Sequence, residues 1–78
     1  MKVLAFGIVK EIVGGTLITL PLDNDVALET LKANLEQQYP RLKQLSSFMI
    51  AVNGEYAKAG TIIKPGDEVA IIPPVSGG

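Results

Sequence analysis

Leu28, Leu31 and Leu35 fall at i, i+3 and i+7 within LETLKANLEQQYP, while Glu29, Lys32, Glu36 and Gln37 lie off that stripe. The spacing puts three leucines on one face of a helix and the polar groups on the rest. Pro40 closes it, because the residue before a proline is driven out of the α region. Asp25 is the foremost candidate N-cap, with Asp23 and Asn24 as rivals, and Glu29 and Lys32 are spaced for a weak i, i+3 pair. This is the one convincing helical period in 78 residues. One main helix must therefore cover whatever sheet the remaining chain forms.

The rest reads as short strands. Residues 3–9 and 16–20 are apolar runs rich in strand-favouring side chains, separated by the turn pair Gly14-Gly15, and together predict an amino-terminal hairpin. Leu4, Phe6 and Ile8 share the bulky face of the first run, which is assigned to the helix; Val3, Ala5 and Gly7 share the other. After a polar connector with Arg41, Lys43 and Gln44, residues 48–52 form a third strand closed by Asn53-Gly54, with a short returning arm at 55–57. Residues 61–63 are a further brief strand. KPGD at 64–67 predicts a type II turn, with Pro65 presetting φ and Gly66 supplying a positive φ. In the last strand, 68–72, Val69 and Ile71 point to the core, which leaves Ile72 on the solvent side. Hairpin, helix and further strands give an α+β domain, a small mixed sheet with one main helix packed on one face.

Composition narrows the chemistry. Neither histidine nor cysteine is present, which removes the commonest general base, the thiolate ligands and any disulfide. Seven basic and eight acidic side chains leave a net charge of −1 with no basic cluster, against a nucleic-acid partner. MKVLAFGIVKE sets Lys2 before seven largely apolar residues, but Lys10 and Glu11 follow at once without a small-residue cleavage pattern, so it reads as buried strand and not as a leader. No run approaches the ~18 apolar residues of a membrane span, and no membrane partner is expected. The acid pairs Asp23/Asp25 and Asp67/Glu68 sit where capping and turns account for them. Gly14-Gly15 lacks dinucleotide-loop spacing, and Lys10 and Lys64 read as solvated surface charges.

What remains is PPVSGG. Pro73 and Pro74 lack N–H donors, so they stop the sheet ladder after Ile72 and hold an extended exit. Val75 and Ser76 follow as a spacer that, with the glycines, spans at most ~14 Å. Gly77 and Gly78 have no Cβ, so a narrow cleft can close on the backbone and reach the Gly78 carboxylate. A division into a domain at 1–72 and an extended tail at 73–78 follows.

GDEVAIIPPVSGG resembles the ending of the small, sulfur-carrier subunit of molybdopterin synthase, the MoaD family. FGIVKEIVGG resembles that family's first strand and the segment after it, LETLKANLEQQYPRL its helix and Tyr-Pro stop, and IAVNGEY its Val-Asn strand end. Lys10 and Ala27 stand where the family often has arginine and threonine. The resemblance implies a ubiquitin-like β-grasp fold. It further implies that Gly78 is adenylated by an activating enzyme using ATP and magnesium, the domain itself binding no cofactor or metal. A sulfurtransferase system would then make the thiocarboxylate, and the tail would enter the large synthase subunit, within a heterotetramer, to give sulfur to a cyclic pyranopterin. Catalytic side chains are expected on that partner, so the chain is no enzyme alone, and Tyr56 and Ile72 match positions that contact it. The absence of cysteine fits a reducing cytosol, so a cytoplasmic setting is expected. A carrier for thiamine or tungsten-cofactor synthesis, or a ubiquitin-like modifier joined to lysines, are the alternatives.

Overall fold

A computed structural model describes residues 1–45 and 48–73. In chain order the elements are β1 (Lys2–Ala5), α1 (Gly7–Val13), β2 (Leu17–Thr19), β3 (Val26–Ala27), α2 (Leu28–Gln38), a 3-10 turn (Pro40–Gln44), β4 (Met49–Val52), β5 (Glu55–Tyr56), β6 (Ile62–Ile63) and β7 (Val69–Ile72). Five strands form one sheet in the order β2-β1-β7-β4-β5, and β3 pairs with β6 in a small second sheet. Only β1 and β7 run parallel among these pairs. The expected mixed sheet under one main helix is what forms.

The core lies on one face of the large sheet. Val3, Ala5, Ile18, Ile50, Val69 and Ile71 point from the sheet, and Leu28, Leu31 and Leu35 meet them from α2. The leucine period thus identifies the buried stripe of α2 correctly, and Tyr39, whose N–H donates to the Leu35 carbonyl at 2.8 Å, ends the helix just before Pro40.

The first apolar run does not stay a strand to residue 9. Phe6 is still extended, but Gly7 takes φ +58° and turns the chain into α1. Val9 is buried and Ile12 and Val13 pack partly against the core, a helical i, i+3, i+4 spacing concealed by β-branched side chains that favour strands. Gly14, in the left-handed region at φ +85°, ends α1, and both Gly14 and Gly15 donate N–H bonds to the Lys10 carbonyl at 3.0 Å. β1 and β2 still pair as an antiparallel hairpin, with a helix in its connection.

The face assignment of β1 is reversed as well. Val3 and Ala5 are the buried pair, whereas Phe6 and Ile8 are exposed and Leu4 is half-buried. Register explains it: Val3 is paired with Val69 and Ala5 with Ile71, the core face of β7, so Leu4 must share a face with Ala70. Size alone did not decide which side faced inward.

None of Asp23, Asn24 or Asp25 caps α2. Its N-cap is Ala27, without a side-chain cap, because Val26 and Ala27 are held in the ladder with Ile63 and Ile62. The Thr61 carbonyl takes the Leu28 N–H at 2.9 Å instead. Glu29 and Lys32 go to different partners: the Glu29 carboxylate accepts the Gly60 N–H at 3.1 Å, and the Lys32 ammonium lies 5.0 Å from the centre of the Phe48 ring. The polar connector hides a core residue, Leu42, which is 1% exposed.

Candidate functional site

Among the described residues, no element covers the opposite face of the sheet, which is apolar. In the recorded registers Leu17 pairs with Leu4, Leu4 with Ala70, Ala70 with Ala51, and Ala51 with Tyr56. One row of side chains therefore crosses all five strands, large at both ends and small in the middle. Towards the end of β7, Ile72 pairs with Met49, and Phe6 follows Ala5 on the neighbouring strand. The small alanines sink the middle of the face into a trough of ≈ 350 Å³ lined by Leu4, Phe6, Ala51, Gly54, Tyr56, Glu68, Ala70 and Ile72. Phe6, Leu17, Met49 and Tyr56 are 48%, 50%, 47% and 59% exposed. Singly such residues are ordinary; gathered on one face they mark an association surface.

Polarity is graded along the strands. Lys2, in register with Thr19, and Glu68, one residue before Val69, lie at the end where β7 begins. Phe6, Met49 and Ile72 lie at the end where it finishes, and Pro73 continues from there. The apolar end of the face thus adjoins the root of the tail.

The entry to β7 is held by a hydrogen-bonded clamp. Asn53 (φ +53°) and Gly54 (φ +84°) form the two-residue turn between β4 and β5, the positive-φ pair that a tight hairpin requires. Asn53 donates its backbone N–H to the Glu68 carbonyl at 2.7 Å, and its side-chain oxygen accepts the Glu68 N–H at 2.9 Å. Asn53 Nδ2 reaches Asp67 Oδ1 at 3.1 Å, while Asp67 Oδ2 accepts the Lys64 N–H at 2.9 Å. These bonds hold the Asp67 carboxyl below the usual carboxylate range, the Lys64 N–H first and the Asn53 amide second. The 64–67 turn closes through Asp67 N–H to the Lys64 carbonyl at 3.0 Å. Gly66 does not have a positive φ, which excludes the expected type II turn. The side-chain bond of Asp67 back to Lys64 stabilises the turn without it.

Of the residues singled out from sequence, Tyr56 and Ile72 are brought together on the trough, and Ile72 faces away from the core as its strand alternation requires. Pro73 is half-buried beside Gly7. Pro74, Val75, Ser76, Gly77 and Gly78 lie outside the described residues. Lys10 and Lys64 are both exposed, on α1 and on the 64–67 turn. Leu4, Phe6 and Met49 were missed as surface residues. Their signal was the second apolar face of β1 and β4, which strand alternation records without saying which face is covered.

Among the described residues, no three or more acidic, histidine or cysteine side chains are grouped so as to hold a metal ion, and no helix is long and apolar enough to cross a membrane.

A mixed five-stranded sheet, one long helix across its inner face and an open apolar outer face define a ubiquitin-like β-grasp protein. The same architecture is found in SAMP1 from Haloferax volcanii, at a TM-score of 0.78 and 26% identity over 99% of this chain and 97% of that one. A molybdopterin converting factor subunit 1 from Pyrococcus furiosus, itself described as putative, gives a TM-score of 0.76 at 26% identity, over 95% of both chains. The chain belongs to the ThiS family, whose model matches residues 3–78. Its relatives include proteins named molybdopterin synthase sulfur carrier subunit. That of Dictyostelium discoideum is 42% identical over 99% of this chain and 94% of its own. Those of Mycobacterium tuberculosis and Homo sapiens are 38% and 34% identical over all of this chain, and over 96% and 93% of their own. The resemblance read from the ending and the helix is thereby shown along the full length.

Proposed function

We propose that this protein is the sulfur carrier for molybdopterin synthesis, its reactive group being the carboxylate of Gly78. The observation that carries the reading is the full-length similarity to molybdopterin synthase sulfur carrier subunits, with the family match running through Gly77 and Gly78. In this reading an activating enzyme, with ATP and magnesium, joins the Gly78 carboxylate to AMP and releases pyrophosphate. A persulfide on a sulfurtransferase then attacks the carbonyl carbon and AMP leaves, and a thiol reductant cleaves the resulting acyl disulfide, giving the thiocarboxylate and a disulfide.

The trough supplies the docking surface and the tail the reactive group. Tyr56 and Ile72 contact the large synthase subunit, with Phe6 and Leu4 beside them, while residues 73–78 enter its cleft as a heterotetramer forms. The terminal sulfur passes to a cyclic pyranopterin there, and water restores the carboxylate. Catalytic side chains belong to that large subunit, so the chain alone is not an enzyme. Reconstitution tests this: purified protein, activating enzyme, ATP, a sulfur source and the large subunit form molybdopterin, and omitting this protein abolishes it. Product formation with a thiamine-pathway partner in place of the large subunit contradicts the assignment.

One observation favours a second reading. Solved structures with this fold include small archaeal modifier protein 1, SAMP1, of Haloferax volcanii and Methanosarcina acetivorans, and a modifier would use the same Gly78 carboxylate to form isopeptide bonds with lysines. Gly78 joined to lysines of other proteins, without a thiocarboxylate, is the result that would favour it.

A further inference from the structure

Among the described residues, four glycines adopt positive φ: Gly7, Gly14, Gly54 and Gly60. At Gly14, Gly54 and Gly60 nothing lies within 4 Å of where a Cβ would stand, so backbone conformation alone accounts for glycine there. Gly7 is different. A Cβ at Gly7 would stand 3.0 Å from Cγ of Pro73, 3.8 Å from its Cβ and 4.0 Å from its Cδ. The first of these is tighter than ordinary van der Waals contact, so a Cβ at residue 7 requires the proline ring to give way by a few tenths of an ångström.

The sheet explains why these residues meet. β1 and β7 are parallel and Ala5 is paired with Ile71, so Gly7 and Pro73 are each two residues beyond a paired couple. Two chains leave the same end of adjacent strands. One turns into α1 and the other continues as the tail, and glycine at the first seats the proline ring at the second without a shift of either.

We propose that Gly7 is a positioning residue for the tail: its bare Cα seats the Pro73 ring and thereby fixes the residue from which the tail continues. The consequence for function rests on the carrier reading above; the seating of Pro73 does not. A tail whose root at Pro73 is held before its partner arrives loses less conformational freedom on threading. Disturbing the seat therefore weakens capture by the activating enzyme more than it slows chemistry on a tail already threaded.

The experiment uses full-length protein. In the wild type, an NMR cross-peak between the Gly7 Hα and Pro73 Hγ protons is expected, and its absence overturns the proposal whether or not any variant folds. Gly7→Ala is compared with Gly14→Ala, which meets the same positive-φ restriction in open space. Both lower Tm, but Gly7→Ala alone raises the KM of the activating enzyme for the carrier, by about tenfold with kcat within about twofold. In a Pro73→Ala background the same change at residue 7 leaves KM unmoved. An unchanged KM in Gly7→Ala, or an equal rise in Gly14→Ala, overturns the proposal. Wild-type protein that shows the cross-peak yet never gains sulfur contradicts the carrier reading and leaves the seating of Pro73 standing.

Discussion

Ile71 and Ile72 are identical neighbours on β7 that the sheet sends to opposite faces, Ile71 fully buried in the core and Ile72 half-buried on the trough. Their roles separate accordingly. Ile71→Ala removes a side chain from the core and lowers stability by about 3 kcal/mol, read as a fall in the urea midpoint. Ile72→Ala changes stability by less than about 1 kcal/mol. It weakens association with the molybdopterin synthase large subunit by roughly tenfold, measured by titration calorimetry.

Ala70 is the floor of the trough, paired with Leu4 on one side and Ala51 on the other. Ala70→Leu fills that floor from the solvent side while the core side of β7 stays as it is. The variant keeps its circular dichroism spectrum and Tm to within about 5 °C, and loses about tenfold or more in affinity for the large subunit. Unchanged affinity contradicts docking through this face.

Asp67 gives stability a definite pH sign. Its carboxyl is held below its ordinary value by the Lys64 N–H and the Asn53 amide, so the charged form is favoured in the folded state. That contribution is fully present above the unfolded carboxylate value of about 4, and is lost as pH falls through the lower folded value. Asp67→Asn removes it. Urea midpoints measured from neutral pH to about pH 2 fall less steeply below pH ~4 in Asp67→Asn than in the wild type.

The connector before β4 makes a further prediction. Leu42 is 1% exposed and Leu17 is 50% exposed, although by sequence Leu17 stood in a clear strand and Leu42 in a polar stretch. Leu42→Ala lowers stability by about 3 kcal/mol, and Leu17→Ala by less than about 1. Equal losses in thermal unfolding contradict the assignment of the core.

These residues show what was legible. The leucine stripe of α2, the Pro40 stop, the Asn53-Gly54 turn and the outward side of Ile72 followed from periodicity and local sterics, which act within a few residues. The outward side of Leu4 and Phe6 did not, because it depends on pairing with β7 more than sixty residues away. Likewise the start of α2 was set by the β3–β6 ladder and not by its nearby acids. Gly7 read as part of the first strand, and its turn into α1 and its closeness to Pro73 exist only once β1 and β7 lie side by side.

The central claim concerns Gly78, and intact-mass spectrometry tests it most directly. After incubation with activating enzyme, ATP and a sulfur source, the protein gains the mass difference of one sulfur replacing one oxygen. Fragmentation places the change on Gly78, and a variant lacking Gly78 shows none while keeping its Tm. A wild-type mass that stays unchanged, under conditions in which a related carrier is converted, contradicts the account.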